Sequence, residues 1–309
     1  MRQTTRLPET SLQSFGMRPI LIAFVALLSM NAASNVPQTY RDEILAWQQT
    51  RDHRLRSPEG WLALVGLFWL HQGQNTIGSG GSNDFGLPQG SAPEHTARIT
   101  VTGEHVLLTN LAGERLKVNG AAVSAPVELS YDEDKPDKVT VDRVSFFVIK
   151  RGERLAIRAK DRESPVLTRF TGMKYFPINP AYRVEASFLP DKKMVQVPNI
   201  LGETELTESP GVVTFKLAGI EYRMRPVYEG DTLFFVFKDQ TSQTETYQAG
   251  RMLNTPLPKD GKVVLDFNQA YNPPCTFTPY ATCPLPMKEN QLPVRIEAGE
   301  LRYGHGHPE

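Results

Sequence analysis

Prolines and glycines interrupt this chain so often that long regular elements are excluded over most of its length. There are 24 prolines and 23 glycines, spread through 309 residues without a period. Proline removes a backbone donor and glycine weakens the interior of any regular element, so what survives between them is short. Most surviving runs are β-branched or aromatic and bounded by turn formers, which is the pattern of strands. The expectation is a mainly β protein: a β-sandwich or barrel-like set of antiparallel sheets with a short N-terminal helical segment.

That helix is expected over Pro37 to Arg56. Thr39 is a candidate cap, Asp42 and Glu43 are expected to fill the first turn, and Arg51, His53, Arg54 and Arg56 the last, a charge order that complements the helix dipole. Ser57-Pro58 reads as a second, very short helical start. The continuously apolar run Leu62–Leu70 reads as a buried strand. Further strands are expected near 74–78, 96–101, 105–109, 115–118, 127–130, 138–150 and 153–160, with a tight turn at Arg151-Gly152. Others are expected near 182–189, 193–198, 212–217, 220–228 and 231–238. From 239 to 291 the chain reads as loop apart from Lys262–Asp266, and a last strand is expected over Pro293–Ala298. Asp132–Asp137 interrupts the pattern and suggests a division into 35–140 and 141–309, unless the two form one continuous unit.

Basic and acidic side chains balance at 34 each, with no basic block, so nucleic acid is not an expected partner. The N-terminus carries Met17-Arg18-Pro19, the apolar run Ile20–Leu28 and then small residues through Ser34. A basic lead, a short apolar segment and small residues describe a secretory signal peptide. The run is shorter than the roughly 20 apolar residues of a membrane span, so membrane contact is expected only through this segment if it stays uncleaved. Residues 1–34 are therefore read as a signal peptide with an upstream extension, Met17 as a second candidate start, and the protein as exported, periplasmic or secreted.

Chemistry is most concentrated near the C-terminus, where Asp266-Phe267-Asn268-Gln269-Ala270-Tyr271-Asn272-Pro273-Pro274-Cys275 leads to Cys283-Pro284. Cys275 and Cys283 are the only cysteines. In an oxidising compartment two cysteines usually pair, and closing this loop stabilises a fold by about 2–3 kcal/mol. A reactive Cys275 thiol is the alternative. Asp239 and Asp266 each end an apolar run, where a rigid scaffold presents polar groups to a pocket. Arg251 is expected to pair with one of them. Together Asp239, Tyr247, Arg251, Asp266, Asn268, Tyr271 and Asn272 form the candidate ligand-binding set. The competing expectation is that these groups satisfy one another and the backbone of long loops. His305 and His307 close the chain in a short polar tail, and no HExxH, CxxC or GxSxG motif is present, so neither a metal nor a cofactor is expected.

Two family resemblances follow from these residues. Ile77-Gly78-Ser79, Ser91…His95 and Asn119-Gly120 resemble the loop motifs of forkhead-associated β-sandwich domains over 75–120. Ser79 stands where that family places its phosphate-binding arginine, so the resemblance implies a related fold and not phosphothreonine binding. Trp61-Leu62, Arg154…Arg158…Asp161, Phe170-Thr171-Gly172, Asp239-Gln240-Thr241, Gly250-Arg251, Asp266–Cys275 and Ala298-Gly299-Glu300 together resemble domain-of-unknown-function family 1684 over roughly 40–300. That family implies one contiguous unit and no particular activity. The leading expectation is an exported binding or scaffold module with a small polar pocket near the C-terminal motif, taking a small polar ligand or a protein partner. A hydrolase or transferase using Cys275 or Asp266, and a purely structural motif, are the alternatives.

Overall fold

A computed structural model of the chain describes residues 36–304. The signal segment, the alternative start at Met17 and the His305/His307 tail lie outside the described residues.

Helix α1 (Gln38–Arg56) realises the N-terminal expectation. Pro37 precedes it with φ −51° and ψ 134°, and no side chain caps it, so Thr39 lies within the first turn and does not act as the cap. Because the helix starts at Gln38, Asp42 and Glu43 fall beyond the first turn and Arg51 before the last. Its contact stripe is thin: Tyr40, Ile44 and Leu55 are buried. Such a helix is held by a few specific contacts more than by amphipathic burial. No helix starts at Ser57; its hydroxyl accepts the Glu59 amide, and a single 3-10 turn follows at Trp61–Ala63.

Strands then follow one another: β1 (Leu64–Trp69), β2 (Gly73–Gly78), β3 (Phe85–Gly86), β4 (Ala97–Thr102), β5 (His105–Asn110), β6 (Leu116–Val118), β7 (Ala121–Ala122), β8 (Val127–Glu128), β9 (Val139–Val141), β10 (Val144–Arg151) and β11 (Arg154–Asp161). They build one sheet in the order β1-β11-β10-β9-β6-β7 and a second in the order β3-β2-β4-β5-β8. Ile77, Ile99, Leu108, Leu116, Phe146 and Ile157 fill the core between them. Strand β11 shows how its two faces divide. Leu155, Ile157 and Ala159 enter this core, while Ala156, Arg158 and Lys160 alternate onto the outer face.

After the single-turn helix α2 (Pro165–Arg169) come β12 (Arg183–Pro198), β13 (Thr204–Leu217), β14 (Ile220–Met224), β15 (Val227–Glu229), β16 (Thr232–Phe237), β17 (Arg251–Pro256) and β18 (Lys262–Asp266). They make a sheet β14-β13-β12-β18 and a smaller sheet β15-β16-β17. Here β16 is two-sided as well: Leu233, Phe235 and Phe237 enter the second core, and Phe234 and Val236 face outward into a separate apolar cluster with Val195, Val227 and Met252.

The mainly β, antiparallel expectation holds, with local differences. The expected 182–189 and 193–198 are one strand, because a register shift between Pro190 and Lys193 absorbs the proline. The expected division at 140 would fall inside β9, which pairs with β10 from Val144↔Val141. The break between the two cores comes instead after Asp161, and from Val36 onward the chain forms one compact unit.

Two differences concern the C-terminal region. Arg251–Pro256 is a strand paired to β16 from Phe237↔Arg251 to Thr232↔Pro256, disguised in sequence by a charged residue on a buried face. Pro293–Ala298 is not a strand. The Ile296 amide is taken by the Asp239 carboxylate (2.7 Å), and the Ile296 and Ala298 carbonyls accept from the Arg251 guanidinium. Side chains thus replace the ladder that a neighbouring strand would supply.

Asp239 and Arg251 form a fully buried ion pair (3.2 Å) at the centre of this arrangement. Asp239→Ala leaves the Arg251 charge buried without a counter-charge and is expected to cost about 3–5 kcal/mol of stability, read as a lowered urea midpoint in equilibrium unfolding.

Candidate functional site

The outer face of β11 and the outer face of β16 line a common cleft of about 610 Å3. Arg151, Arg158 and Phe147 contribute from the first sheet, and Val227, Phe234 and Val236 from the smaller sheet. A side chamber of about 290 Å3 shares Arg151, Arg158, Glu229 and Phe234 with it. Arg51, Trp61, Tyr271, Pro274 and the segment Ala281–Pro284 complete that chamber. The disulfide-bonded loop of the C-terminal motif is therefore one of its walls.

Arg158 is the electrostatic anomaly of the molecule. The buried arginines among the described residues are Arg158, Arg225 and Arg251. Arg251 faces Asp239, and Arg225 reaches Asp191 (2.5 Å) and Glu289 (2.9 Å). Arg158, only 6% exposed, has no ion pair or hydrogen bond to any described residue, and its Nε is buried without a partner. Its guanidinium lies 5.3 Å from the centre of the Trp61 ring, a cation–π contact that replaces only part of lost hydration. Burial, and then the Arg151 charge nearby, pull its pKa down to about 10. A buried cation without a counter-ion is costly, and here it faces the cavity.

The other cations around the cleft are compensated. Arg51, on α1, donates from Nε to the buried Glu300 carboxylate (2.8 Å) and from a terminal nitrogen to the Asn272 carbonyl (3.0 Å). It also lies 4.7 Å from the Tyr271 ring centre. Arg151 comes within 3.8 Å of Glu133.

The seven residues expected to line one pocket take different places. Asp239 and Arg251 form the buried pair already described, with the Thr241 hydroxyl donating to Asp239 (2.9 Å). Asp266 and Asn268 dock α1: the Tyr40 hydroxyl donates to both carboxylate oxygens at 2.9 Å, and Asn268 Nδ2 donates to the Tyr40 oxygen at 2.9 Å. Burial raises the Asp266 pKa, against the hydrogen bonds from Asn268 and Tyr40 and the Arg183 charge, which lower it. Asn272 ties the C-terminal segment in place through its amide to Glu300 (2.7 Å) and its side chain to the Leu301 carbonyl (2.7 Å). The Tyr247 hydroxyl donates to the Cys275 carbonyl (3.3 Å). Tyr271 alone of the seven lines the cleft chamber, its hydroxyl donating to Asn254 (2.7 Å).

Cys275 and Cys283 are joined in a disulfide, so Cys275 carries no free thiol for the nucleophilic role considered above. Both sulfurs are buried with Tyr247 and Ala281. Gly299 has φ +78°, and a Cβ there would collide with the Ala270 and Phe267 carbonyls, so only glycine lets the last segment reach its seat. Among the described residues no group of three His, Cys, Asp or Glu side chains could hold a metal ion, and no helix is long and apolar enough to cross a membrane.

Arg158, Arg151, Arg51 and Trp61 were not in the candidate set. The signal was present in the run Arg154-Leu155-Ala156-Ile157-Arg158-Ala159, where a charge stands amid the apolar centre of a strand. It carries weight only once no carboxylate of the opposing face is seen to pair with it.

The model of a family described as "Protein of unknown function (DUF1684)" matches residues 168–301. An uncharacterised protein from gene locus rrnAC0354 of Haloarcula marismortui, solved by NMR, is 30% identical; the match covers 43% of this chain and 78% of that one, with a TM-score of 0.38. The match to the DUF1684 model is confined to residues 168–301. The FHA domain of FhaA, solved with the intracellular domain of Rv3910, is 21% identical over 30% of this chain and 97% of that one, with a TM-score of 0.22. No curated protein matches the chain.

Two predictions follow from the clamp and the helix anchor. Replacing both cysteines, Cys275→Ser with Cys283→Ser, is expected to lower stability by about 2–3 kcal/mol, measured by chemical denaturation without reductant. Because folding raises the proton affinity of Asp266, its contribution favours the folded state below the ordinary value of 3.8 and is lost as pH rises through the higher folded-state value. The stability of Asp266→Asn relative to the parent should therefore improve as pH increases above 3.8, in urea titrations across a pH series.

Proposed function

We propose that the protein is an exported binding module whose inter-sheet cleft takes a small anionic ligand, with Arg158 as its anchor. The observation that carries this is the buried, unpartnered guanidinium opening onto a cavity. Buried charges are ordinarily paired, and the other buried arginines of the described chain are. An anion supplied from outside would give Arg158 the bidentate, charge-assisted contact that its geometry favours. A binding role also suits a chamber walled by a proline-rich, disulfide-closed loop, because a rigid wall loses little entropy when a ligand seats.

Export is supported by the basic-then-apolar N-terminal sequence and by the disulfide, a bond that persists in oxidising compartments. The family description gives no activity.

The test separates a functional from a structural arginine. Arg158→Met removes an uncompensated buried charge, so the ligand-free variant is expected to be more stable than the parent by roughly 1–2 kcal/mol. It is also expected to lose the thermal stabilisation that simple carboxylates such as acetate or butyrate give the parent. A variant that is destabilised and still responds to the same anions would overturn the proposal.

A further inference from the structure

The charge balance around Arg158 narrows the ligand, on the assumption that the cleft is an anion site as just proposed. We infer that the ligand is an amphipathic monocarboxylate: a single carboxylate seated on Arg158, carried on an apolar body that lies along the outer face of the smaller sheet.

Three observations converge. The cleft offers one uncompensated buried cation, because Arg225 is matched by Asp191 and Glu289, and Arg51 by Glu300. Its walls also carry Asp132, Glu133, Asp134, Glu205 and Glu229. A ligand with two or more negative charges would satisfy Arg158 with one and bring the excess towards these exposed acids, whose like charge disfavours it. A monoanion leaves no excess. Third, the surface beside Arg158 is apolar. Val227, Phe234, Val236 and Met287 line the cleft, and Met252 adds to the side chamber. Phe234, Val236 and Val227 belong to a cluster that the second core does not absorb. Val227, Phe234, Val236 and Met252 are each no more than 9% exposed, so the gain comes from packing: an alkyl or aryl chain makes close apolar contacts with this wall that an inorganic anion cannot. The planar fork of Arg158 matches a carboxylate in two parallel hydrogen bonds, and Trp61 on the guanidinium holds the plane in place. The volume of about 610 Å3 is ample for such a molecule.

The experiment compares octanoate, octyl phosphate, octanol and inorganic pyrophosphate by calorimetric titration into the purified full-length chain at neutral pH, in parallel with Arg158→Met. Octanoate is expected to bind most tightly, with Arg158→Met weakening it by about 10- to 100-fold. Octanol should bind far more weakly than octanoate, and pyrophosphate should show no binding. If octyl phosphate or pyrophosphate binds more tightly than octanoate and depends on Arg158, the monocarboxylate assignment is overturned while the anion site stands. If octanol matches octanoate, the carboxylate is not recognised and the assignment is likewise overturned. If octanoate binds equally well to Arg158→Met, or no anion depends on Arg158, both the assignment and the anion site are overturned. A second variant, Phe234→Ser, should weaken octanoate and leave the folded near-UV signal unchanged; undiminished octanoate binding would contradict the apolar wall.

Discussion

The C-terminal half depends on one buried ion pair. Asp239 lies two residues past the end of β16, Arg251 begins β17, and the two side chains meet at 3.2 Å with no exposure to solvent. Their remaining capacity is used on the backbone of 296–298. This pair therefore holds a segment that has neither helix nor ladder to fix it. Through that segment it places Gly299 and Glu300, and Glu300 in turn receives Arg51 from α1 and the Asn272 amide. The route from Asp239 to the N-terminal helix is thus a chain of charge-assisted contacts, each of which would leave a buried charge or donor exposed to an apolar interior if broken.

Arg158 is the counterpart that lacks such a solution. Strand alternation sends its neighbours Leu155, Ile157 and Ala159 into the first core and leaves Arg158 on the face turned to the smaller sheet. What meets it there is Trp61, Arg151 and an apolar wall; Glu229 lines the same chamber, but no carboxylate among the described residues makes an ion pair with it. Stability selection alone would favour an aliphatic residue at such a position. A strained or uncompensated group that persists inside a rigid frame is a common mark of a site where binding supplies the missing partner.

The sequence made the β architecture legible because its signals are local: prolines, glycines and alternation mark most strand limits, though β12 and β13 run on through Pro190 and Pro210. Position by position, β2, β4, β5, β6 and β11 lie within a residue or two of their expected limits, whereas the expected 138–150 is two strands, β9 and β10, parted by a turn at Asp142-Arg143. Strand β17 and the irregular 293–298 were not legible, for the same reason. A buried arginine broke the alternation of the first, and the carboxylate that it partners, Asp239, took the ladder bonds of the second. The polar residues of the C-terminal motif stood out by their density, yet most of them anchor α1, the disulfide loop and the last segment. Their chemistry is visible in sequence, but whether a group is satisfied depends on contacts from far away, such as Tyr40 reaching Asp266. Arg158 was hidden in the opposite way: one charge in a strand looks unremarkable until the facing sheet is known.

The central claim is that the Arg158 side chain is the anion anchor of the inter-sheet cleft. The most direct measurement follows the arginine Nε–H resonances of the protein by 1H–15N NMR while octanoate is added, with the Arg158 signal assigned by its loss in Arg158→Met. Arg158 is predicted to shift or sharpen in proportion to the ligand bound, while the paired Arg251 stays still. An unchanged Arg158 resonance at saturating octanoate would contradict it.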